Sequence, residues 1–252
     1  MFFNKTLFVG VQKIRLKSVD STNSYALNLL SKNNPSEGTV VIAANQTEGK
    51  GQMGSQWLVE PDKNATFSVI LYPRFLQPSQ HFLLNTCLSL AISDALLQKG
   101  LPNLSIKWPN DIYLNDKKLG GMLIQNTVNS SSIVSTVAGF GININQEKFP
   151  EVLPNATSMA IETGKQWDLD ELLDGFFAAI EARYLHLRQK GGKDFLEEYH
   201  SRMFGYGEAR RFSDPAGRQF NGLVAGVSPT GKLLLDKVEG RVAYDFKEVI
   251  WL

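Results

Sequence analysis

Apolar residues along the chain follow two rhythms. Over residues 21–32, 79–99, 168–190 and 194–203 they recur every three or four positions, the spacing that lines one face of an α-helix. The third of these is the clearest: Leu169, Leu172, Leu173, Phe176, Phe177, Ile180, Tyr184 and Leu187 form one stripe, and Gly191 and Gly192 stop it. In 79–99 the apolar positions are 84, 88, 91, 92 and 95, and Gly100 ends the helix. Short apolar runs at 39–44, 66–71, 105–108, 112–114, 119–124 and 133–140 read instead as strands of one sheet. From Phe204 the pattern changes to brief β runs at 210–212, 220–227, 232–236, 242–244 and 249–252, broken by glycine and proline. The expected fold class is therefore α/β, an α+β mixed sheet with flanking helices over residues 1–203, followed by a small all-β unit over 204–252. That unit has under fifty residues, too few to be more than marginal alone, so it is expected to dock on the main domain.

Composition narrows the functional classes. With 252 residues and 43% hydrophobic content the chain can bury one sizeable core, and a net charge of +1 gives no electrostatic case for nucleic acid. No apolar run approaches about eighteen residues, and the start, Met1 to Lys5, has no apolar stretch behind a basic one, so neither a membrane span nor an export signal is expected. The single cysteine, Cys87, excludes an internal disulfide and falls in the 79–99 helix as a small core residue. Three histidines, at 81, 186 and 200, have neither metal-ligand spacing nor the order of a triad. A cytoplasmic location is expected.

Two segments are hard to explain by stability alone. Lys107, Trp108, Pro109, Asn110, Asp111, Ile112, Tyr113 and Leu114 put an extended Trp-Pro pair ahead of an amide and a carboxylate at a sheet rim. A polar turn follows, and Leu119 to Ile124 return as the partner strand of a hairpin that holds Lys118 beside Gly120 and Gly121. Glycines inside a strand mark a bulge or a close approach to the backbone. The second segment runs from Gln46 to Trp57 behind the apolar run 39–44. Gly49, Gly51 and Gly54 would let backbone amides gather around an anion, Lys50 adds a cation, and Trp57 offers a flat face for a purine. No Lys-Ser or Lys-Thr closes this loop, so it is not a Walker A loop. A second near match, Gly226 to Lys232, has Leu233 where Ser or Thr is required and reads as a hairpin turn.

With Asp20, Ser21, Thr22, Asn23 and the run Gly139, Phe140, Gly141, Ile142, Asn143, these segments resemble the biotin protein ligases, in matching order over about residues 18–145. The terminal β unit resembles that family's SH3-like barrel. The resemblance implies an ATP-dependent ligase that joins biotin to AMP and passes the biotinyl group to a lysine of the biotin carboxyl carrier domain of a biotin-dependent carboxylase. By position, Ser21, Thr22, Asn23 and Gln46 correspond to residues around biotin's rings. Gly49, Lys50, Gly51, Gln52, Lys118 and Gly121 correspond to residues along its chain and carboxylate. Gln52, Trp57, Asn110, Asp111 and Asn143 correspond to the ATP side, with Lys118, Lys50 and Asp111 as the catalytic set. Each has a plain reading too: Ser21 or Thr22 as a helix cap, Asn143 as a turn residue, Gln46 as a loop end.

The resemblance further implies Mg²⁺ as companion of ATP and a homodimer as one assembly. Only nineteen residues precede Asp20, too few for the three-helix DNA-binding module that some members carry, so a ligase without nucleic-acid binding is expected. One departure stands out. Family loops are arginine-rich, whereas here the corresponding positions hold Lys50, Gln52, Met53 and Ser55, so a looser grip on phosphate is expected. The competing readings are a lipoate or octanoate ligase, a non-catalytic vitamin-binding protein, and a nucleic-acid binder through the terminal barrel.

Overall fold

The structure is a computed structural model that describes residues 6–252. The first five residues of the expected main domain lie outside the described residues. Seven strands form the main sheet: β1 (Lys13–Leu16), β2 (Val40–Ala43), β3 (Ala65–Leu71), β4 (Leu104–Lys107), β5 (Asp111–Leu114), β6 (Lys117–Val128) and β7 (Ile133–Ile142). Their order is β1-β2-β3-β7-β6-β5-β4, antiparallel throughout except for the parallel β1–β2 pair. The helices are α1 (Thr22–Lys32), α2 (His81–Gln98), α3 (Met159–Thr163), α4 (Leu169–Lys190) and α5 (Phe195–Ser201). A second, antiparallel sheet of β8 (Ala209–Ser213), β9 (Gln219–Val227), β10 (Leu233–Lys237), β11 (Gly240–Tyr244) and β12 (Ile250–Trp251) runs in the order β11-β10-β9-β8-β12.

The two faces of the main sheet are treated differently, and this creates room for a site. One face carries Phe67 of β3 and Phe140 of β7, stacked at 4.9 Å and packed on Phe176 and Phe177 of α4. That face belongs to the large core, which α2 and α4 cover. The other face has a much smaller cluster, Ala26 of α1 with Val41, Ile70 and Val137. Helix α1 covers only part of it.

Helix α4 follows the sequence pattern closely. The Asp168 carboxylate accepts from the amides of Asp170 (2.8 Å) and Glu171 (3.0 Å), and Gly191 closes the other end in the left-handed region at φ +71°. Helix α2 departs from its expected stripe: it is buried nearly all round, because sheet, α4 and α5 surround it. Its hydroxyls are satisfied locally, Thr86 Oγ1 donating to the Phe82 carbonyl at 3.0 Å and Ser89 Oγ to that of Asn85 at 2.9 Å. Cys87 is fully buried within it, and burial pushes its thiol pKa well up, so it is inert core.

Two elements escape the sequence pattern. Strand β1 alternates basic and apolar residues over four positions, too few to register; its Lys13 and Arg15 pair with Asp174 (2.7 Å) and Asp170 (2.6 Å) of α4. Helix α3 has a single turn beyond its Ser158 cap. Strand β6 also extends past the expected 119–124, back to Lys117 and on through the polar residues Gln125, Asn126 and Thr127, and β7 runs past 133–140 to Ile142. The Gly226 to Lys232 stretch is a hairpin turn, as read: the Ser228 amide donates to the Lys232 carbonyl at 2.8 Å.

Candidate active site

On the open face of the main sheet lies a cavity of about 930 Å³, near the upper end of the range for small-molecule sites. Its floor is explained by the alternation of β7. Phe140 points into the core, so Gly139 and Gly141 both face the cavity. A Cβ at Gly139 would stand 2.1 Å from Asn23 Oδ1, and one at Gly141 would stand 2.3 Å from the Trp57 indole. The two glycines are therefore seats, one for Asn23 and one for Trp57.

Around Asn23 a polar network is built from α1, β3 and the start of the glycine loop. Gln46 Oε1 accepts from the Thr22 amide (2.7 Å) and from Thr22 Oγ1 (3.0 Å). Ser68 Oγ lies 2.8 Å from Thr22 Oγ1 and donates to Asn23 Oδ1 at 2.6 Å. Asn23 Nδ2 in turn donates to the Leu123 carbonyl and to Gln125 Oε1, both at 3.0 Å. Ser21 both caps α1, over the Ser24 amide at 3.5 Å, and lines the cavity, so the plain and functional readings hold together.

The Lys118 side is built by a bulge. Ile112 pairs with Gly120 but Tyr113 pairs with Lys118, a register shift that re-aims the lysine. Its backbone is tied down on both sides: the Lys118 amide donates to the Asn155 carbonyl (2.7 Å) and its carbonyl accepts from Thr157 (2.9 Å). Lys118 Nζ then sits 2.8 Å from Asp111 Oδ1, over Gly121, where a Cβ would crowd Asp111 at 2.9 Å. Asn110 braces the same corner, its side-chain amide donating to the Met122 carbonyl.

The glycine loop is tighter than expected. The Gly51 amide donates to Ser55 (2.7 Å), Ser55 to Gln52 (3.2 Å) and Trp57 to Gly49 (2.8 Å), so these three amides are engaged within the loop instead of gathering around an anion. Lys50 Nζ donates to Ser24 Oγ at 2.9 Å on the cavity wall. Gln52 Oε1 and the Trp57 indole N–H are buried without a hydrogen-bond partner among the described residues, one acceptor and one donor beside the same cavity.

Of the residues singled out from sequence, Ser21, Thr22, Asn23, Gln46, Lys50, Gly51, Gln52, Trp57, Asn110, Asp111, Lys118 and Gly121 all line this cavity. Gly49 and Asn143 do not. Gly49 packs under the Trp57 carbonyl, and Asn143 is buried behind Lys118, its Nδ2 donating to the Thr157 carbonyl at 2.9 Å. Asn143 is thus placed to steady the segment that anchors Lys118.

The wall also holds Lys107 and Tyr113 of the Trp-Pro segment, to which the sequence assigned no role of their own. Lys107 donates to Tyr113 Oη at 3.2 Å and sits 4.8, 5.3 and 5.4 Å from the ring centres of Tyr113, Phe204 and Trp251. Burial among these rings lowers its pKa, and burial followed by the nearby Asp111 charge pushes the Tyr113 phenol up to about 12. The terminal sheet completes the wall with Phe246, Lys247, Val249, Ile250 and Trp251. It also grips the motif itself: the Trp108 indole donates to the Gly231 carbonyl at 2.8 Å and meets Phe246 edge-on at 6.0 Å. These contacts join positions far apart in sequence, and no local pattern announces them.

Comparison with known proteins agrees with this geometry. Residues 16–143 match the Biotin/lipoate A/B protein ligase family. The bifunctional ligase/repressor BirA of Bacillus spizizenii is 31% identical over 240 residues, 94% of this chain and 73% of that protein. The biotin–acetyl-CoA-carboxylase ligase of Paracoccus denitrificans is 29% identical over 244 residues, 94% of this chain and 99% of that protein. The solved biotin protein ligase from Aquifex aeolicus in complex with biotin and ATP superposes with a TM-score of 0.80 at 31% identity, covering 96% of this chain and 100% of that one.

Proposed function

Because the chain belongs to the biotin/lipoate A/B protein ligase family, we propose specific roles for its cavity residues in the reaction that family membership brings. The protein is an ATP-dependent biotin protein ligase, which activates biotin as biotinyl-5'-AMP and transfers the biotinyl group to a carrier-domain lysine. The observation that carries the residue assignment is one cavity that holds both a polar pocket at Thr22, Asn23 and Gln46 and the Lys118–Asp111 pair on glycine-floored strands.

In the first half-reaction an oxygen of the biotin carboxylate attacks the α-phosphorus of ATP, and the bond to the bridging oxygen breaks to release pyrophosphate. Two anions must meet, so fixed cations are needed where their charge concentrates. Lys118, held by its backbone and over Gly121, supplies one on the carboxylate, and Lys50 supplies a second. Thr22, Asn23 and Gln46 offer the donors and acceptors that a cyclic urea requires. Trp57, flat on Gly141, takes the adenine. In the second half-reaction the neutral amine of the carrier lysine attacks the acyl carbon, the bond to the phosphate oxygen breaks, and AMP leaves; Asp111 is placed to orient the amine and take its proton.

Among the described residues no three His, Cys, Asp or Glu side chains converge as a metal cluster, and Asp111 is the single carboxylate on the cavity wall. That donor set fits a magnesium ion that arrives on ATP, held mainly by phosphate oxygens and by Asp111. Bound there, the ion would neutralise phosphate charge.

The remaining parts of the proposal concern organisation. The division near residue 204 separates a catalytic domain from an SH3-like one, supported by the change from the mixed to the antiparallel sheet. A net charge of +1 supports the absence of a nucleic-acid partner. A homodimer is supported by the outer part of β6, residues 123–128, which β5 does not reach and where Val128 is exposed. No helix among the described residues is long and apolar enough to cross a membrane, which accords with the proposed cytoplasmic setting.

The test is pyrophosphate release from ATP by the full chain, with biotin, lipoate or octanoate as the acid. Release that requires biotin, and that the other acids neither support nor inhibit, is expected. Release driven by lipoate or octanoate would overturn the substrate assignment.

A further inference from the structure

Three neighbouring strands place one row of residues across the open face of the main sheet. Lys107 of β4 stands opposite Asp111 of β5, and Asp111 stands opposite Gly121 of β6. All three line the cavity. Opposed residues share a face, with side chains starting about 5 Å apart. Lys118 fills the space over Gly121, its Nζ 2.8 Å from Asp111 Oδ1. The carboxylate of the cavity wall is therefore flanked by two lysines, and the first half-reaction as derived above uses only one of them.

The other, Lys107, is held in a box of rings. Its Nζ donates to Tyr113 Oη at 3.2 Å and lies 4.8, 5.3 and 5.4 Å from the ring centres of Tyr113, Phe204 and Trp251. Tyr113 is on the adjacent strand, but Phe204 and Trp251 come from beyond residue 203, so docking of the terminal sheet completes the box. Ring faces on three sides suit a cation. Burial lowers the pKa of Lys107, Asp111 raises it, and Lys118 and Arg210 of β8 lower it; the rings and Asp111 thus favour the ammonium against burial. The other titratable groups around the row are Tyr113, Tyr199 of α5 and Lys247 of the terminal wall. Burial, with the Asp111 charge, pushes both phenols up, so neither ionises near neutral pH and the corner is net positive.

A carrier lysine arrives mainly as the ammonium, whereas only the neutral amine attacks the acyl carbon. Positive charge close by disfavours the ammonium. We propose that Lys107 sets the protonation state of the incoming carrier lysine: with Lys118 it flanks Asp111, so that the side chain oriented there is held as the neutral amine. This rests on the ligase reading above and deepens its second half-reaction. The carrier ammonium gives one proton to water before attack. The nitrogen–carbon bond then forms, the carbon–oxygen bond to AMP breaks, and the second proton passes to Asp111.

The experiment uses the full chain with Lys107→Met, Lys107→Gln and Lys107→Arg. Biotinyl-AMP is formed on each, and its single-turnover consumption is followed from pH 6 to pH 10 with two nucleophiles: the carrier domain, whose lysine must lose a proton first, and hydroxylamine, already neutral at pH 7. Removing the Lys107 charge is expected to move the midpoint of the carrier reaction up by about one pH unit, which lowers the ratio of carrier rate to hydroxylamine rate at pH 7 about ten-fold. The ratio should recover near pH 9, and Lys107→Arg should keep the parental profile. Met and Gln both remove the charge, and Met still fills the ring box, so either folded variant decides the matter. A parental pH profile in that variant would overturn the proposal, as would an equal fall with both nucleophiles, the mark of a merely structural role. A parent that formed no biotinyl-AMP would overturn the ligase reading and this proposal together, whereas an active parent with an unshifted Lys107→Met profile would overturn this proposal alone.

Discussion

Replacing Gly141 by alanine tests the architecture of the cavity floor with one methyl group. The added Cβ would stand 2.3 Å from Cε2, 2.5 Å from Nε1 and 2.6 Å from Cζ2 of Trp57. Ordinary carbon contact begins near ~3.5 Å, so the indole must retreat by about 1.2 Å or more. The strand itself has no reason to fail, because Gly141 is paired with Thr66 and Gly121 through its backbone and its side-chain direction is the open face. If Trp57 is the adenine platform, displacing it forfeits a stacking contact of about 1–3 kcal/mol, or ~5- to 150-fold in the KM for ATP. The KM for biotin should stay near the parental value. Gly139→Ala is the matched control: its Cβ would fall 2.1 Å from Asn23 Oδ1, disturb the Ser68 hydrogen bond at 2.6 Å, and therefore raise the KM for biotin first. Steady-state pyrophosphate release at varied ATP and biotin reads both, with circular dichroism to confirm folding. A folded Gly141→Ala variant with the parental KM for ATP, or one impaired toward biotin instead, would refute the idea that these glycines seat two separate half-sites.

Three further outcomes follow from particular contacts. Lys118→Ala should lower the rate of adenylate formation ~10²- to 10³-fold at saturating substrates, the usual effect of deleting one fixed charge where charge develops; single-turnover kinetics would show it, and parental rates would remove Lys118 from the reaction. Trp108→Phe keeps an aromatic ring against Phe246 but leaves the Gly231 carbonyl without its 2.8 Å donor, so urea unfolding should report a loss of about 1–3 kcal/mol. Glu198 is held below its usual carboxylate pKa, foremost by its hydrogen bonds to Arg183 at 2.5 and 2.6 Å. The folded chain therefore takes up this proton less readily than the unfolded one, and the stabilisation is complete above the ordinary value of 4.5 and fades as pH falls below it. Glu198→Gln should accordingly lower the melting temperature at pH 7 and change it much less near pH 3; an equal loss at both would contradict the ion-pair account.

Much of the site was legible because its chemistry is local in sequence. The Gln46 to Trp57 loop, the segment from Lys107 to Leu114 and the bulged return through Lys118 and Gly121 each announce themselves by residue types that a core would not use, and the structure gathers them around one cavity. Helix α4 was legible for a similar reason, its stripe and terminal glycines lying within one element. What stayed hidden depends on distant pairings. The run Gly139, Phe140, Gly141 drew notice, but its meaning, one ring into the core between two seats for pocket side chains, emerges only when Asn23 and Trp57 arrive from elsewhere. Asn143 drew notice as well, and it stands behind Lys118 because Thr157, fourteen residues on, folds back to meet it. Helix α2 looked one-sided because periodicity cannot show that a third neighbour, α5, covers its remaining face. The terminal sheet's share of the wall, with Phe246, Lys247 and Trp251, had no sequence signal, since only docking brings β12 to the Lys107 corner.

The central claim, that this cavity makes biotinyl-AMP and passes biotin to a carrier lysine, is tested most directly by intact-mass spectrometry. The purified chain is incubated with ATP, biotin and the carrier domain of a biotin-dependent carboxylase. The account predicts one biotinyl addition on a single carrier lysine, dependent on ATP and nearly abolished by Lys118→Ala. A carrier of unchanged mass after incubation with the folded parent protein and all substrates would contradict it.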